Sequence, residues 1–182
     1  MSDFFVSIEF TDLQYILPPG EQIIYSTFCQ CNTSKTTYNK TKFLKWNTHV
    51  LFSNNYVAYN QPDSFKKNPK YQQKYDRLEE VQGMISMGGA RFTLSRGLMG
   101  FKLLRDKNLE TKEQFTERSR EFILKFSLFI IEKKEHWLEE NRDNPEIKKK
   151  LIKGMESSII SLKLAYNKTL AKKEKKQAKK KK

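Results

Sequence analysis

Few residues in this sequence have the type and spacing for bond-making chemistry. Cys29 and Cys31 lie two apart on a predicted strand, so both side chains point to one face and lie too close along one strand for an ordinary disulfide. A four-ligand zinc site would need His49 and His136, the two histidines of the sequence, to converge on these thiols. We expect instead buried, reduced thiols of the kind that persist in the cytosol, and no metal site.

The sequence offers no recognisable catalytic pattern. Its glycines fit neither the spacing of a phosphate-binding loop nor that of a dinucleotide fingerprint. The acidic pairs Glu79–Glu80 and Glu139–Glu140 fit solvated charges at helix ends better than a general acid and base. We therefore expect no catalytic residue and no cofactor, and a protein that is not an enzyme.

Lysine is the residue type that suggests a function. The formal net charge is +14, and the segment 172–182, with eight lysines and one glutamate, carries half of it. A basic body with a cationic tail predicts affinity for anionic lipid headgroups, acidic protein surfaces or nucleic acid. No stretch has the apolar length of a transmembrane segment and the N-terminus lacks a signal-peptide pattern, so we expect a cytoplasmic protein, peripheral at a membrane if lipid is its ligand.

Two groups of lysines lie in predicted polar segments, and the composition of the second group suggests anion binding. The first group lies around a predicted loop, Asn32–Lys42, and the second in a predicted long connection, Gln61–Glu80, where Phe65, Tyr71 and Tyr75 are interleaved with it. Lysines with stackable rings suit a membrane surface or single-stranded nucleic acid; a merely solvated loop is the alternative. The two groups are Lys35, Lys40, Lys42 and Lys45, and Lys66, Lys67, Lys70 and Lys74.

Alternating and β-branched residues predict seven short strands that would position these lysines. Ser53–Asn55 has the composition of a tight turn between two of the strands, because Asn tolerates positive φ. Trp46 is expected in the core, with an interfacial anchor as the alternative. The predicted strands are Phe4–Phe10, Gln22–Cys31, Phe43–Phe52, Tyr56–Tyr59, Val81–Met87, Ala90–Ser95 and Leu98–Leu104.

Two helices are predicted after the strands. Thr111–Leu138 starts with a capping box, Thr111 and Gln114, and carries a phenylalanine stripe at three- and four-residue steps. A second helix is expected to begin at Asn144 as N-cap with Pro145 at the first helical position, and to fold back antiparallel on the first. Residues 172–182 have no apolar stripe and are predicted to be disordered or a frayed helix end.

This order of elements resembles the pleckstrin-homology (PH) superfold, in which a partly open barrel of about seven antiparallel strands is closed by one helix. Leu17–Tyr25 is similar to the "L-x-P-G-E-x-I-x-Y" pattern of the GRAM-type and bacterial-type branches, and His49–Val57 to their "x-L-x-L-T-N-x-R-L" hairpin. The ubiquitin- and lipid-binding GLUE domain is a further PH-like candidate, because long insertions interrupt its barrel too.

The resemblance implies an α+β fold: a PH-like domain over 1–140 with its capping helix, a packed helix over 141–171 and a disordered Lys-rich tail over 172–182. It implies a non-enzymatic module of trafficking or adaptor type that binds an anionic membrane surface, a protein partner, or a ubiquitin-like protein. Lipid-binding members hold inositol phosphates with Lys and Arg of the first hairpin loop and the adjoining strand, which implies an anion-binding role here for Lys35, Lys40, Lys42 and Lys45. The arginine of their "K-x-R" strand pattern is missing, since Lys45 is followed by Trp46 and Asn47. An RNA- or DNA-binding protein is the alternative.

Overall fold

The computed structural model describes residues 5–9, 17–86, 88–94 and 99–181. Within them, seven antiparallel strands, β2 to β8, and a further strand, β1, precede two long helices. This order confirms the predicted α+β, PH-like fold class. The elements are β1 (Phe5–Glu9), β2 (Ile23–Thr37), β3 (Lys40–Ser53), β4 (Tyr56–Pro62), β5 (Tyr71–Arg77), a 3₁₀ turn (Leu78–Glu80), β6 (Val81–Ser86), β7 (Ala90–Leu94), β8 (Met99–Leu103), α1 (Lys112–Asn141) and α2 (Lys149–Lys180).

The chain divides into two compact units. Unit 1 contains Met1–Glu80 and Leu94–Leu104, and unit 2 contains Val81–Thr93 and Arg105–Lys182. The sequence-based boundaries at 140 and 171 stay a prediction.

Unit 1 is built on a sheet with the strand order β5-β4-β3-β2-β8, and β1 pairs parallel with β3. Its core lies on one face of the β2–β3 ladder, where Cys31 pairs with Trp46 and both side chains are fully buried. Trp46 therefore belongs to the core, as expected, and its indole N–H donates to the Asn60 carbonyl at 2.7 Å.

The β2–β3 hairpin corrects the predicted loop at 32–42. The two strands pair continuously from Ile23 with Ser53 to Thr37 with Lys40, and only Tyr38 and Asn39 lie in the turn. Both have positive φ, 49° and 62°, as a two-residue type I′ turn requires. The prediction of a loop was wrong because threonine-rich sequence pairs well once a partner strand is present.

The β4–β5 hairpin corrects the predicted long connection at 61–80. Strand β4 continues to Pro62, and β5 pairs with it from Pro62–Tyr71 to Tyr56–Arg77. The connecting loop covers only residues 63–70, and backbone and side-chain hydrogen bonds between Asp63 and Lys70 close its base at 2.7 and 3.0 Å.

In unit 2, helix α1 begins with the predicted capping box. Thr111 Oγ1 accepts a hydrogen bond from the Gln114 N–H at 3.2 Å, and Gln114 Oε1 accepts one from the Thr111 N–H at 2.8 Å. Its phenylalanine stripe packs on a strand, since the ring centroids of Phe122 and Phe92 of β7 are 6.1 Å apart. Within the stripe, the ring centroids of Phe122 and Phe126 are 4.8 Å apart. The helix thus buries the face that the sequence predicts.

Helix α2 folds back antiparallel on α1, as predicted. Three ion pairs show the direction, because later residues of α2 contact earlier residues of the chain in and just after α1. The pairs are Arg142–Glu156, Glu135–Lys163 and Glu117–Lys176, at 3.5, 2.9 and 3.1 Å. The predicted helix start was wrong: Asn144 accepts a hydrogen bond from the Glu146 N–H at 3.0 Å in a turn, and Lys148 is the N-cap. The described helix continues through Lys180 and so includes most of the segment predicted as a tail.

We expect Phe122→Ala to lower the free energy of unfolding by about 3–5 kcal/mol, because it empties a closely packed site between α1 and β7. Leu128 on the same helix is 51% exposed, so Leu128→Ala is the matched control and should cost under about 0.5 kcal/mol. Urea denaturation followed by circular dichroism measures both. Equal losses for the two variants would contradict the packing of this face.

Candidate binding surfaces

The two thiols lie in the interior of unit 1. Cys29 and Cys31 are thiols that lie fully buried on β2, which confirms the prediction of buried strand thiols. The pKa of the Cys31 thiol is raised well above its ordinary value, chiefly by burial and secondly by the neighbouring Cys29. His136 lies on the surface of α1 beside Glu140 at 3.2 Å. Among the described residues, no three His, Cys, Asp or Glu side chains form a group that could hold a metal ion.

The first group of lysines lies on the β2–β3 strands rather than in a loop. Lys35 and Lys42 are direct cross-strand partners on the face that carries Trp46 further along, and Lys40 follows on the same face. Lys45 pairs with Asn32 on the opposite face. The structure therefore brings together three of the four predicted cations and separates Lys45 from them.

Residues 33–42 form the outer part of this hairpin, which we call the hairpin tip. In the described part of the chain, β8 pairs with β2 only as far as Asn32, and β1 pairs with β3 only from Phe43 onward. The tip is thus a two-stranded ribbon, held by its own ladder and by a Thr36–Thr41 hydroxyl contact of 3.0 Å. Lys35 and Lys42 lie directly opposite each other, so this ribbon carries a concentrated positive potential. Such a pair of like charges is unfavourable in a sheet.

Tyr38 is the most unusual residue of the hairpin tip. Its side chain is 96% exposed and its backbone has φ = 49°, a conformation that costs a non-glycine residue about 1–2 kcal/mol. An aromatic ring placed in water on a strained backbone is an outlier that points to a functional role. Sequence reasoning missed this residue, although the Tyr38–Asn39 pair between threonine-rich segments was the available signal.

The second group of lysines lies on the β4–β5 hairpin. Lys66, Lys67 and Lys70 are exposed on the loop 63–70, and Lys74 is exposed on β5 opposite Tyr59. No described acidic side chain forms a salt bridge with these four lysines. The loop lysines thus remain available to an external anion.

Topology brings three lysines of each group to one end of the unit 1 sheet. Because β2, β3, β4 and β5 are successive antiparallel neighbours, the β2–β3 turn and the β4–β5 loop lie at the same end, and the β3–β4 turn lies at the other. The hairpin tip, with Lys35, Lys40 and Lys42, and the loop, with Lys66, Lys67 and Lys70, together form what we call the basic end.

The buried side chain of Tyr59 on β4 contacts both strand β5 and strand β8. The Tyr59 hydroxyl donates to the Asp76 carboxylate, and its ring meets Phe101 edge-on with centroids 5.0 Å apart. Burial first, and then the hydrogen bond to Asp76, raises the pKa of the Tyr59 hydroxyl. This contact ties β4 to both β5 and β8, so it supports the strands from which the loop emerges.

The guanidinium group of the described part of unit 1 lies away from the basic end. Arg77 pairs with Tyr56 in the β4–β5 ladder, next to the β3–β4 turn. It is held by Glu79 at 2.9 Å and stacks over the Tyr56 ring at 5.8 Å. Among the described residues, the basic end therefore has lysine ammonium groups and no arginine guanidinium that could bind a phosphate with two hydrogen bonds.

Unit 2 contains a groove of about 740 Å³ between the β6–β7 pair and helix α2. Ile85 and Thr93 of the strands and Ser161 and Leu164 of the helix line it. Beside the groove, the Ser158 hydroxyl donates to the Gln82 carbonyl at 2.7 Å and joins helix to strand. Sequence reasoning missed the groove, because the small residues of α2 show a helical spacing but not the strand that they face.

No protein-family model matches this sequence, and no curated protein matches it. A solved structure, the N-terminally truncated linker-DH/PH domains of p115-RhoGEF, is similar over 55% of this chain and 29% of that chain, with 8% sequence identity and a TM-score of 0.29. This chain therefore spans less than a third of that one. A likeness this distant identifies neither a family nor a ligand. Among the described helices, none has both the length and the apolar character to cross a membrane.

We expect the native thiols to react at least about a hundredfold more slowly with Ellman's reagent than those of the chain in guanidinium chloride. Both thiols are buried, and the raised pKa of Cys31 keeps it protonated, whereas only a thiolate attacks the reagent. Absorbance of the released thionitrobenzoate measures the rate. Rapid native labelling of either cysteine would contradict their placement in the core.

Proposed function

We propose that this protein attaches peripherally to anionic membrane surfaces through the basic end of unit 1. In this proposal it is a non-catalytic module of the trafficking or adaptor type that acts on the cytoplasmic face of a membrane. A PH-like strand-and-helix order is compatible with such a role, and the GRAM-like and GLUE-like resemblances of the sequence agree with it. A ubiquitin-like protein partner is the expectation that the GLUE resemblance adds.

The observation that carries the proposal is the common position of the lysines and Tyr38 at one end of an antiparallel sheet. Three exposed lysines on the hairpin tip and three on the loop 63–70 emerge at that end. Each projection can contact an anionic surface that meets this end of the sheet, and a lysine near such a surface contributes about 1 kcal/mol. Several lysines acting together therefore suffice for reversible attachment.

Tyr38 supports a membrane rather than a purely ionic partner. Tyrosine is enriched at membrane–water interfaces, where the ring lies at the headgroup level and the hydroxyl stays wet. The exposed Tyr38 at the outermost turn of the hairpin tip is positioned for this role. Nucleic acid would use the same lysines, so the RNA arm of the first experiment below separates the two.

The kind of recognition follows from the lysines. Because Arg77 is engaged by Glu79 and Tyr56, the described residues of the basic end offer point charges rather than bidentate donors. We therefore infer that attachment depends on surface charge density and salt rather than on one inositol phosphate isomer. Vesicles of equal charge made with phosphatidylserine or with a phosphoinositide should bind with affinities within about threefold.

We expect the triple variant Lys35→Glu, Lys40→Glu, Lys42→Glu to lose at least about tenfold in affinity for phosphatidylserine vesicles at physiological salt, because it reverses the charge of the hairpin tip. Vesicle co-sedimentation measures this. The matched control replaces Lys107, Lys112 and Lys153, which are exposed in unit 2, with glutamate. If the control loses as much as the tip variant, overall charge alone explains binding and the proposal is wrong. Tight RNA binding in a gel-shift assay by a protein that ignores vesicles would favour the nucleic-acid alternative.

We expect Tyr38→Gly to stabilise the protein and to weaken vesicle binding. Glycine relieves the positive-φ strain of the turn, which is worth about 1 kcal/mol, while removal of the ring takes away the interfacial contact. Thermal unfolding and co-sedimentation measure the two effects separately. Unchanged vesicle affinity would remove Tyr38 from the contact surface, whereas Tyr38→Trp should retain binding and show a blue-shifted emission on vesicles.

A further inference from the structure

The groove in unit 2 is long, open on one side and floored by a sheet face. Its strand side presents Ile85, which is 53% exposed, and its helix side presents Leu164, which is 55% exposed. A small ligand is usually enclosed by its site over most of its surface. Two half-exposed apolar walls suit instead an elongated partner that covers them both.

The charges of the groove have a single sign. The three charged residues that line it, Arg91, Lys168 and Lys172, are all cations. Helix α2 as a whole carries eleven lysines and two glutamates. A second copy of this chain would bring the same excess of positive charge to the contact, so electrostatic repulsion disfavours self-association. A partner that covers the groove must be acidic.

The shape of the helix wall favours a helical occupant. Gly154, Ser157 and Ser161 recur at three- and four-residue steps along the groove. Apart from its chain neighbours and the adjacent helix backbone, no described atom lies within 4 Å of the position that a Cβ on Gly154 would take. Small side chains let another backbone approach closely, and an amphipathic helix places its apolar residues into such a groove at the same spacing.

We propose that this groove is a docking site for an acidic amphipathic helix of a partner protein. Its apolar side chains pack between Ile85 and Leu164, and its glutamate or aspartate residues face Arg91, Lys168 and Lys172. This surface is independent of the basic end of unit 1, and its partner is a protein rather than a lipid.

The probe is a designed, fluorescein-labelled helix of about 18 residues, long enough to be helical when capped, with a Leu/Ala stripe flanked by glutamates. A scrambled peptide of the same composition controls for charge. Fluorescence anisotropy at physiological salt with the full chain should show binding of the amphipathic peptide at least about tenfold tighter than of the scrambled one. Amide shifts of Gly83, Thr93, Gly154 and Ser161 in ¹⁵N correlation spectra should mark the groove.

Two matched pairs of variants test the location. Leu164 lines the groove, whereas Ile160 on the same helix is 61% exposed and does not. Leu164→Gln should weaken the peptide at least about fivefold and Ile160→Gln should leave it unchanged. Lys168→Gln and the non-lining Lys153→Gln form the charge pair, with the same expectation. Circular dichroism confirms that each variant is folded.

The remaining outcomes overturn the proposal. Equal binding of the scrambled peptide, or amide shifts confined to the basic end or to residues 172–181, would show attraction by charge alone. Absence of binding at millimolar protein would show that the groove does not accept an acidic helix. If Leu164→Gln weakens vesicle binding while Ile160→Gln does not, a membrane occupies the groove instead.

Discussion

The register of the β2–β3 ladder is the constraint on which the basic end of unit 1 depends. Burial of Cys31 and Trp46 as cross-strand partners fixes which face of both strands is the core. A slip by one residue would turn every side chain to the other face, which would expose Trp46 and bury Lys45. The same register makes Lys35 the partner of Lys42 at the hairpin tip. Core packing therefore determines where the cations lie.

In unit 2, the two helices meet the strands in different ways. Helix α1 packs with large rings, as Phe122 against Phe92. Helix α2 meets β6 with small polar side chains, since Ser158 donates to the Gln82 carbonyl and Thr169 contacts the Ser86 hydroxyl at 3.3 Å. These short side chains join helix to strand without filling the space beside the contact. The groove is a consequence of that choice of residues.

The sequence predicts the elements that bury an apolar face. It does not predict strands that form only because a neighbouring strand pairs with them. The strands β6, β7 and β8 were placed within one residue and helix α1 within three, because their periodicity is local. Strand β5 has the sequence YQQKYDR, which shows no apolar alternation and becomes a strand only beside β4. An Asn side chain can accept a backbone hydrogen bond either in a turn or at a helix N-cap. Asn144 accepts one from the Glu146 N–H in a turn, and the helix begins after Lys148. The groove needs β6 and α2 together, so neither segment predicts it alone.

The two candidate surfaces share a sign of charge but differ in how they can select a partner. Lysines on a projecting ribbon and loop attract any dense polyanion, and screening by salt limits their reach to about 8–10 Å. The groove adds a requirement for shape, because the helix proposed to occupy it must place its apolar side chains beside the small residues of α2. Under the two proposals, charge at the basic end would govern whether the protein meets a surface at all, whereas geometry in unit 2 would govern which acidic protein stays bound. A cationic chain would in this way combine non-selective attachment with selective recruitment.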